Sequence, residues 1–181
     1  MYRGEFMSKV YLSPSTQEYN KYVDVGDEEY WMNLITDKME PFLRADGIEF
    51  DRNDPDTSAA TAIRESNSGN YDLHFALHSN ASPASLAGRM TGSDVYYYPY
   101  SEQGKRAAEI IADNLKKIYP DPDKVRALPT TTIGEVRKTR APAVLVELAY
   151  HDNPSDAAWI RNNTDEIAEN LADSIAKFLY S

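Results

Sequence analysis

A continuous apolar run ending at a carboxylate constrains this chain most strongly. Residues 143–146 read Ala-Val-Leu-Val, and Glu147 follows them directly. An unbroken apolar run of this length is typical of a central strand in a parallel sheet, where both faces are covered. A carboxylate at the end of such a strand is costly to bury unless it is paired or coordinated. The run therefore predicts a buried strand whose end carries a functional or tightly paired acid.

Strand-like and helix-like segments alternate along the rest of the chain. Short apolar runs at 9–12, 48–50, 73–78 and 94–98 alternate with helical spacing at 27–46, 57–67, 101–119 and 164–180. Alternation of this kind predicts an α/β protein, a three-layer α/β/α sandwich with an open, mostly parallel, twisted sheet. Residues 120–142 show neither pattern and are predicted to form a polar loop.

Composition narrows the classes of function. The chain has 181 residues, a formal net charge of -10 and no cysteine. Without a basic cluster it is not expected to bind nucleic acid, and no apolar run approaches the ~20 residues that span a membrane. A metal site could use only His, Asp, Glu or amide ligands, and the only histidines are His74, His78 and His151.

The domain organisation is simple. Residues 1–8 are interpreted as an added leader and a disordered start, because 1–6 contain no apolar core of a signal peptide and a second methionine follows at Met7. Residues 9–181 are predicted to form a single domain, acting as a monomer.

Polar residues fall at four points of the chain where a predicted strand ends or a helix begins. His78 ends the strand at 73–78, where Ser79, Asn80, Ser82 and Pro83 break the apolar pattern. Thr16 and Gln17 follow the first strand, Glu29 opens the first helix, and Glu147 ends the most apolar strand. Ligands of open α/β sheets bind outside the carboxyl ends of the strands. Each residue also has a purely structural interpretation, but together they would suit a hydrolytic metal site.

These residues carry a resemblance to the zinc-dependent N-acetylmuramoyl-L-alanine amidases of autolysins and phage endolysins. The stretch from Gly69 to Ser82 resembles the central signature of that family. Three further pieces match in order: 9–17, the first strand and its metal loop; 29–35, the helix of the ligand glutamate; and 142–147, with Asn153 and Asp156 after it, the strand of the catalytic glutamate.

The resemblance implies a mechanism and a substrate. It makes Glu29 and His78 zinc ligands and Glu147 the catalytic carboxylate, acting on the amide between N-acetylmuramic acid and the L-alanine of the stem peptide. Metal-activated water would attack that amide, with Glu147 as general base and then proton donor. Asn80, Tyr98 and His151 are expected to line the substrate groove. Peptidoglycan is then the partner and the bacterial cell wall the place of action, reached by secretion or by release of a phage-encoded enzyme.

One departure from the family leaves an alternative open. The family usually has a histidine ligand after the first strand, and Thr16 occupies that position here. His74 lies about 13 Å from His78 along the same strand face, so it cannot easily take the place of the missing family histidine. Gln17 could offer an amide oxygen, a weaker zinc ligand, so the site is expected to hold Zn²⁺ less tightly than three firm ligands would, or to favour a harder divalent metal. The alternative is a degenerate module that binds peptidoglycan without cutting it. An unrelated sugar- or nucleotide-binding α/β domain has little support, since no Gly-rich phosphate loop follows any strand.

Overall fold

The protein is described from a computed structural model that covers residues 7–181; residues 1–6 of the predicted leader lie outside the described residues. Six strands form one sheet in the order β2-β1-β3-β6-β4-β5. The strands are β1 (Lys9–Pro14), β2 (Glu49–Arg52), β3 (Leu73–Asn80), β4 (Ser93–Tyr97), β5 (Val125–Pro129) and β6 (Ala143–Tyr150).

The helices complete a three-layer arrangement. They are α1 (Glu28–Ala45), α2 (Ala59–Ser68), α3 (Glu102–Leu115), α4 (Gly134–Arg137), α5 (Pro154–Asn162) and α6 (Thr164–Tyr180). One layer contains α1, α3 and α6, and the opposite layer contains α2 and the short α4. The α/β/α architecture predicted from the sequence is confirmed. No helix within residues 7–181 is long and apolar enough to cross a membrane.

The sheet is mixed rather than fully parallel. Strands β2, β1, β3 and β6 run parallel to one another, whereas β4 pairs antiparallel with β6 and parallel with β5. The carboxyl ends of β1, β3 and β6 therefore share one edge with the amino ends of β4 and β5. This edge brings residues from four distant parts of the chain together.

The two faces of the sheet are packed differently. The face under α1, α3 and α6 carries the large apolar core, including Leu12, Phe75 and Val146. The face under α2 and α4 has a small apolar cluster of four buried residues: Ala76, Val136, Ala143 and Leu145. Buried polar side chains occupy the space beside that cluster. Burial of polar groups is tolerated only where they are hydrogen-bonded, so this face holds a polar network.

The predicted polar loop at 120–142 is wrong in part. It contains the edge strand β5 and the helix α4. Strand β5 alternates poorly and pairs only with β4, and α4 has four residues, so neither produces a clear periodic pattern. Both elements matter because α4 lies over the polar face of the sheet.

Candidate active site

His78 lies near the end of β3, with only 8% of its surface exposed. Its Nδ1 is 2.8 Å from Glu28 Oε1, and its Nε2 is 3.3 Å from Glu135 Oε2. The pairing register of β3 and β6 shifts just after this residue, between His78 and Asn80. Such an irregularity re-aims side chains at a sheet edge. The histidine is thus held between two carboxylates that come from different layers of the fold.

The two carboxylates and the imidazole stabilise one another's charged forms. Burial alone would lower the pKa of His78, but hydrogen bonds with Glu135 and Glu28 and their charges raise it to about 10. Burial alone would raise the pKa of both acids. Contacts with His78 and Asn20 instead lower the pKa of Glu28, and contacts with His74 and His78 lower that of Glu135 to about 2. The charged form of the imidazole is therefore favoured by the two carboxylates on either side of it.

Glu28, and not the predicted Glu29, is the α1 acid that reaches His78. Glu28 is 1% exposed, whereas Glu29 is partly exposed and lines a separate cleft with Asn33 and Arg52. Helical spacing explains the correction. Glu28 lies four residues before Met32, on the buried side of the helix, and Glu29 is turned about 100° away from it. Extending the core stripe back from Met32 would have found Glu28 from the sequence.

Gln17 lies next to the same ring nitrogen. Its Nε2 is 3.3 Å from His78 Nδ1, and its Oε1 accepts a hydrogen bond from Asn20 Nδ2. Asn20 also donates to Glu28, at 2.6 Å. A cleft of about 370 Å³ opens beside this group, and Thr16, Gln17, His78 and Glu135 all line it. Gln17, unlike Glu29, therefore lies beside His78, with its amide nitrogen rather than its amide oxygen toward the ring.

Glu147 lies beside His78 on the neighbouring strand. The two residues are partners in the parallel register of β3 and β6, so their side chains leave the same face of the sheet. Glu147 Oε2 is buried and has no hydrogen-bond partner among the described residues. Burial is the main cause that raises the pKa of Glu147, to about 7; the charge of His78 opposes it, and those of Glu28 and Asp94 add to it. A carboxylate that titrates near neutral pH is suited to accept and return a proton.

Glu135 was missed by the sequence reasoning. It lies on α4 with 4% exposure, 3.0 Å from His74 Nε2, and it accepts a hydrogen bond from Ser13 Oγ. Glu135 thus contacts both His74 and His78, although these two histidines lie four residues apart on β3. Glu135 lies in a region without a periodic pattern. The sequence there does not distinguish a buried acid from an acid on the surface.

Tyr98 lies at the opposite edge of the sheet from His78, contrary to prediction. It follows β4, whose last residue Tyr97 pairs with Val144 near the start of β6. Tyr98 would lie at the candidate site if β4 ran parallel to β6. Because β4 is antiparallel, its first residues reach the candidate site instead: Asp94 is the register partner of Glu147 and forms an ion pair with Arg126. The ring of Tyr98 packs against Tyr100.

His151 is buried rather than lining a groove. It is 4% exposed, its Nδ1 lies 3.0 Å from Ser79 Oγ, and its ring stacks on Tyr22. Ser79 follows His78, and its side chain points to the other side of the strand. His151, which contacts Ser79, therefore packs behind the site and not in it. Asn80 lies at the correct edge, partly exposed, with Oδ1 accepting from the backbone N–H of Ala81.

Metal-ligating side chains are sparse around His78. Within residues 7–181, no group of three or more His, Cys, Asp or Glu side chains is arranged to hold a metal ion. On the Nδ1 side of His78 the available donors are one imidazole nitrogen, the Glu28 carboxylate and the Gln17 amide. Glu135 approaches the other nitrogen.

Comparison with models of protein families identifies the family to which the sequence is similar. A family model described as N-acetylmuramoyl-L-alanine amidase, Amidase_3, matches residues 20–177. The chain is 27% identical over 122 residues to the endolysin of Bacillus phage SPP1, and 28% identical over 130 residues to the N-acetylmuramoyl-L-alanine amidase LytC of Bacillus subtilis. These stretches cover 64% and 70% of the chain, but only 43% and 25% of the lengths of these curated relatives.

Solved structures share the fold. The amidase AmiC2 of Nostoc punctiforme superposes with a TM-score of 0.83 at 18% identity, over 96% of this chain and 98% of that one. The amidase Ami1 of Mycobacterium smegmatis gives 0.81 at 18% identity, over 95% and 96%. The catalytic domain of the CD27L endolysin, which targets Clostridia difficile, gives 0.75 at 23% identity, over 94% and 97%.

Proposed function

Because the chain belongs to the Amidase_3 family of N-acetylmuramoyl-L-alanine amidases, we propose that it hydrolyses the amide between N-acetylmuramic acid and the L-alanine of the stem peptide. The observation that carries the proposal is the gathering of His78, Glu28 and Glu147 at one edge of the sheet. A module that only binds cell wall gains nothing from a carboxylate such as Glu147, because its oxygen Oε2 is buried without a hydrogen-bond partner among the described residues and this costs free energy.

The family is typically zinc-dependent. The donor set here differs from that of the family but still fits a divalent metal. We assign His78 and Glu28 as ligands, with Gln17 offering an amide oxygen where the family usually has a histidine; this requires the Gln17 amide to flip, because its Nε2 faces His78 in the structure. Catalytic zinc accepts nitrogen and oxygen ligands and keeps one position open for water. The substituted amide makes a weaker site than a second histidine and shifts preference toward harder ions such as Mn²⁺. When bound, the metal would polarise the scissile carbonyl and acidify a water.

The protein's own residues supply the remaining steps. Glu147 accepts the proton of the attacking water, because its raised pKa lets it take up a proton near neutral pH. The same carboxyl group then gives that proton to the leaving amine of L-alanine. Burial of Glu147 Oε2 keeps bulk water from competing for the proton. The cleft of about 370 Å³ beside His78, lined by hydroxyl and amide groups, offers hydrogen bonds to a polar substrate.

Peptidoglycan digestion tests this assignment. The protein, with Zn²⁺ or Mn²⁺ supplied, is incubated with purified cell wall, and the soluble products are analysed by mass spectrometry. Amidase activity predicts new amino termini on L-alanine, with stem peptides free of sugar. Products cut elsewhere in the stem peptide or glycan would contradict the proposed bond.

The second candidate is a wall-binding module, which Thr16 in place of the family histidine favours. It predicts that the protein co-sediments with cell wall but releases no amino termini with any divalent ion. A co-sedimentation assay run in parallel with the digestion therefore separates the two functions.

A further inference from the structure

Glu135 is a buried carboxylate that the proposed mechanism does not use. Its Oε1 lies 3.0 Å from His74 Nε2 and accepts from Ser13 Oγ, and its Oε2 lies 3.3 Å from His78 Nε2. Ser13 and His74 come from the neighbouring strands β1 and β3. These two contacts on one oxygen hold the carboxylate so that the other oxygen points to His78.

His78 has different surroundings at its two ring nitrogens. Nδ1 is close to Glu28 and Gln17, at 2.8 and 3.3 Å, and these two residues are also tied together through Asn20. Among the described residues, the side chain within hydrogen-bond distance of Nε2 is that of Glu135. The metal donors assigned above thus lie on the Nδ1 side of the ring, and the fixed carboxylate lies on the Nε2 side.

A histidine binds a metal through one nitrogen while the other keeps its proton. Metal-binding histidines commonly donate this second N–H to a carboxylate, which fixes the tautomer and the ring orientation and makes the ligand nitrogen more basic. The need is greater in a site with few firm ligands, because each ligand then contributes a larger share of the binding free energy. Because the third ligand proposed here is an amide, this site has few firm ligands.

We propose that Glu135 is a positioning residue for His78: it accepts the Nε2–H hydrogen bond and so presents the Nδ1 lone pair to a metal held with Glu28 and Gln17. The proposal rests on the proposed function only for the existence of the metal site. His74 and Ser13 serve the same arrangement indirectly, because they hold Glu135 in place.

The ring nitrogens of the zinc-loaded protein give the direct test. With three histidines in the chain, a ¹⁵N spectrum of the imidazoles assigns each tautomer. The expected result for His78 is a metal-bound Nδ1 and a protonated Nε2. A metal-bound Nε2 would overturn the proposal and would make Glu135 itself a ligand. This measurement needs no variant, so it decides the question even if substitutions at the buried site prevent folding.

Zinc affinity of variants gives the second test. Glu135→Gln keeps the shape but removes the charge, and it should weaken zinc binding about 10–100-fold, as loss of such a carboxylate typically does. Glu65→Gln is the matched control, because Glu65 on α2 bonds Tyr11 on the same sheet face without touching His78. The zinc affinity of this control should stay within about twofold of that of the unmutated protein. Equal affinities for both variants would contradict the proposal.

Neither readout depends on catalysis. A protein that binds zinc through His78 Nδ1, but cuts no peptidoglycan, would keep the role of Glu135 and end the amidase assignment. A protein that binds no Zn²⁺ at all would overturn the metal site and the role of Glu135 together. Cleavage of peptidoglycan with His78 bound through Nε2 would keep the function and end this inference.

Discussion

His78 and Glu147 are paired residues on adjacent parallel strands, β3 and β6, with their side chains on the same face of the sheet. Sixty-nine positions apart in the sequence, they are neighbours at the edge where the strands end. The pairing fixes the spacing of the proposed metal ligand and the proposed general base through the backbone hydrogen bonds of two central strands. A rigid scaffold of this kind is what proton transfer requires.

Glu147→Gln should abolish amide hydrolysis while leaving the fold and metal binding almost unchanged. Glutamine keeps the shape but cannot accept the proton, and loss of a general base typically lowers the rate ~10²–10⁴-fold. The rate of release of L-alanine amino termini measures activity, and elemental analysis measures bound metal. A variant that retains more than a tenth of the activity would exclude Glu147 as the base.

Glu28→Gln and Glu29→Gln form a matched pair on one helix turn. Glu28 contacts His78 and Glu29 does not, so only the first substitution should weaken zinc binding and activity. We expect a loss of at least about 10-fold in zinc affinity for Glu28→Gln, since the carboxylate is a proposed ligand in a site with few others. The reverse order of effects would restore Glu29 as the ligand.

Thr16→His should strengthen metal binding, because it returns an imidazole to the position where the family has one. In that background Gln17→Ala should have little effect, whereas in the unmutated protein Gln17→Ala should lower zinc occupancy. Isothermal titration with Zn²⁺ over the four combinations measures the coupling between the two positions. Additive effects would show that Gln17 does not occupy the third ligand position.

Tyr98→Ala should leave hydrolysis unchanged. The residue lies at the edge of the sheet opposite His78, so its ring cannot stack on a sugar bound at the candidate site. Initial rates over a range of peptidoglycan concentrations would reveal any contribution to substrate binding. A clear rise in the concentration needed for half-maximal rate would mean that the groove extends around the sheet to that edge.

Asp156→Ala should destabilise the protein strongly. Oδ2 accepts the backbone N–H groups of Gly92 and Tyr150, and Oδ1 accepts the hydroxyl of Tyr119, all buried. Each buried group left unsatisfied costs about 1–3 kcal/mol. Urea unfolding measures the change in the free energy of unfolding. The control Asp165→Ala removes only a surface ion pair with Lys38 and should cost at most about 1 kcal/mol.

Local signals in the sequence predicted most of the fold. Short apolar runs mark the strands at 9–12, 73–78 and 143–147, and helical periodicity marks α1, α3 and α6. Both signals depend only on neighbours along the chain. His78 and Glu147 were identified for the same reason, because each ends an apolar strand. Glu28 was also within reach, since the helical spacing of the core residues after it assigns it to the buried side.

The tertiary structure alone decided the rest of the site. The direction of β4 depends on long-range pairing with β6, and this pairing places Asp94 beside Glu147 and moves Tyr98 to the far edge. Glu135 reaches His74 and His78 only because α4 packs over the polar face of the sheet. Periodicity reports which side of an element is buried, but not which residues of other elements lie there. Contacts between distant elements come from packing and strand order, which no local pattern encodes.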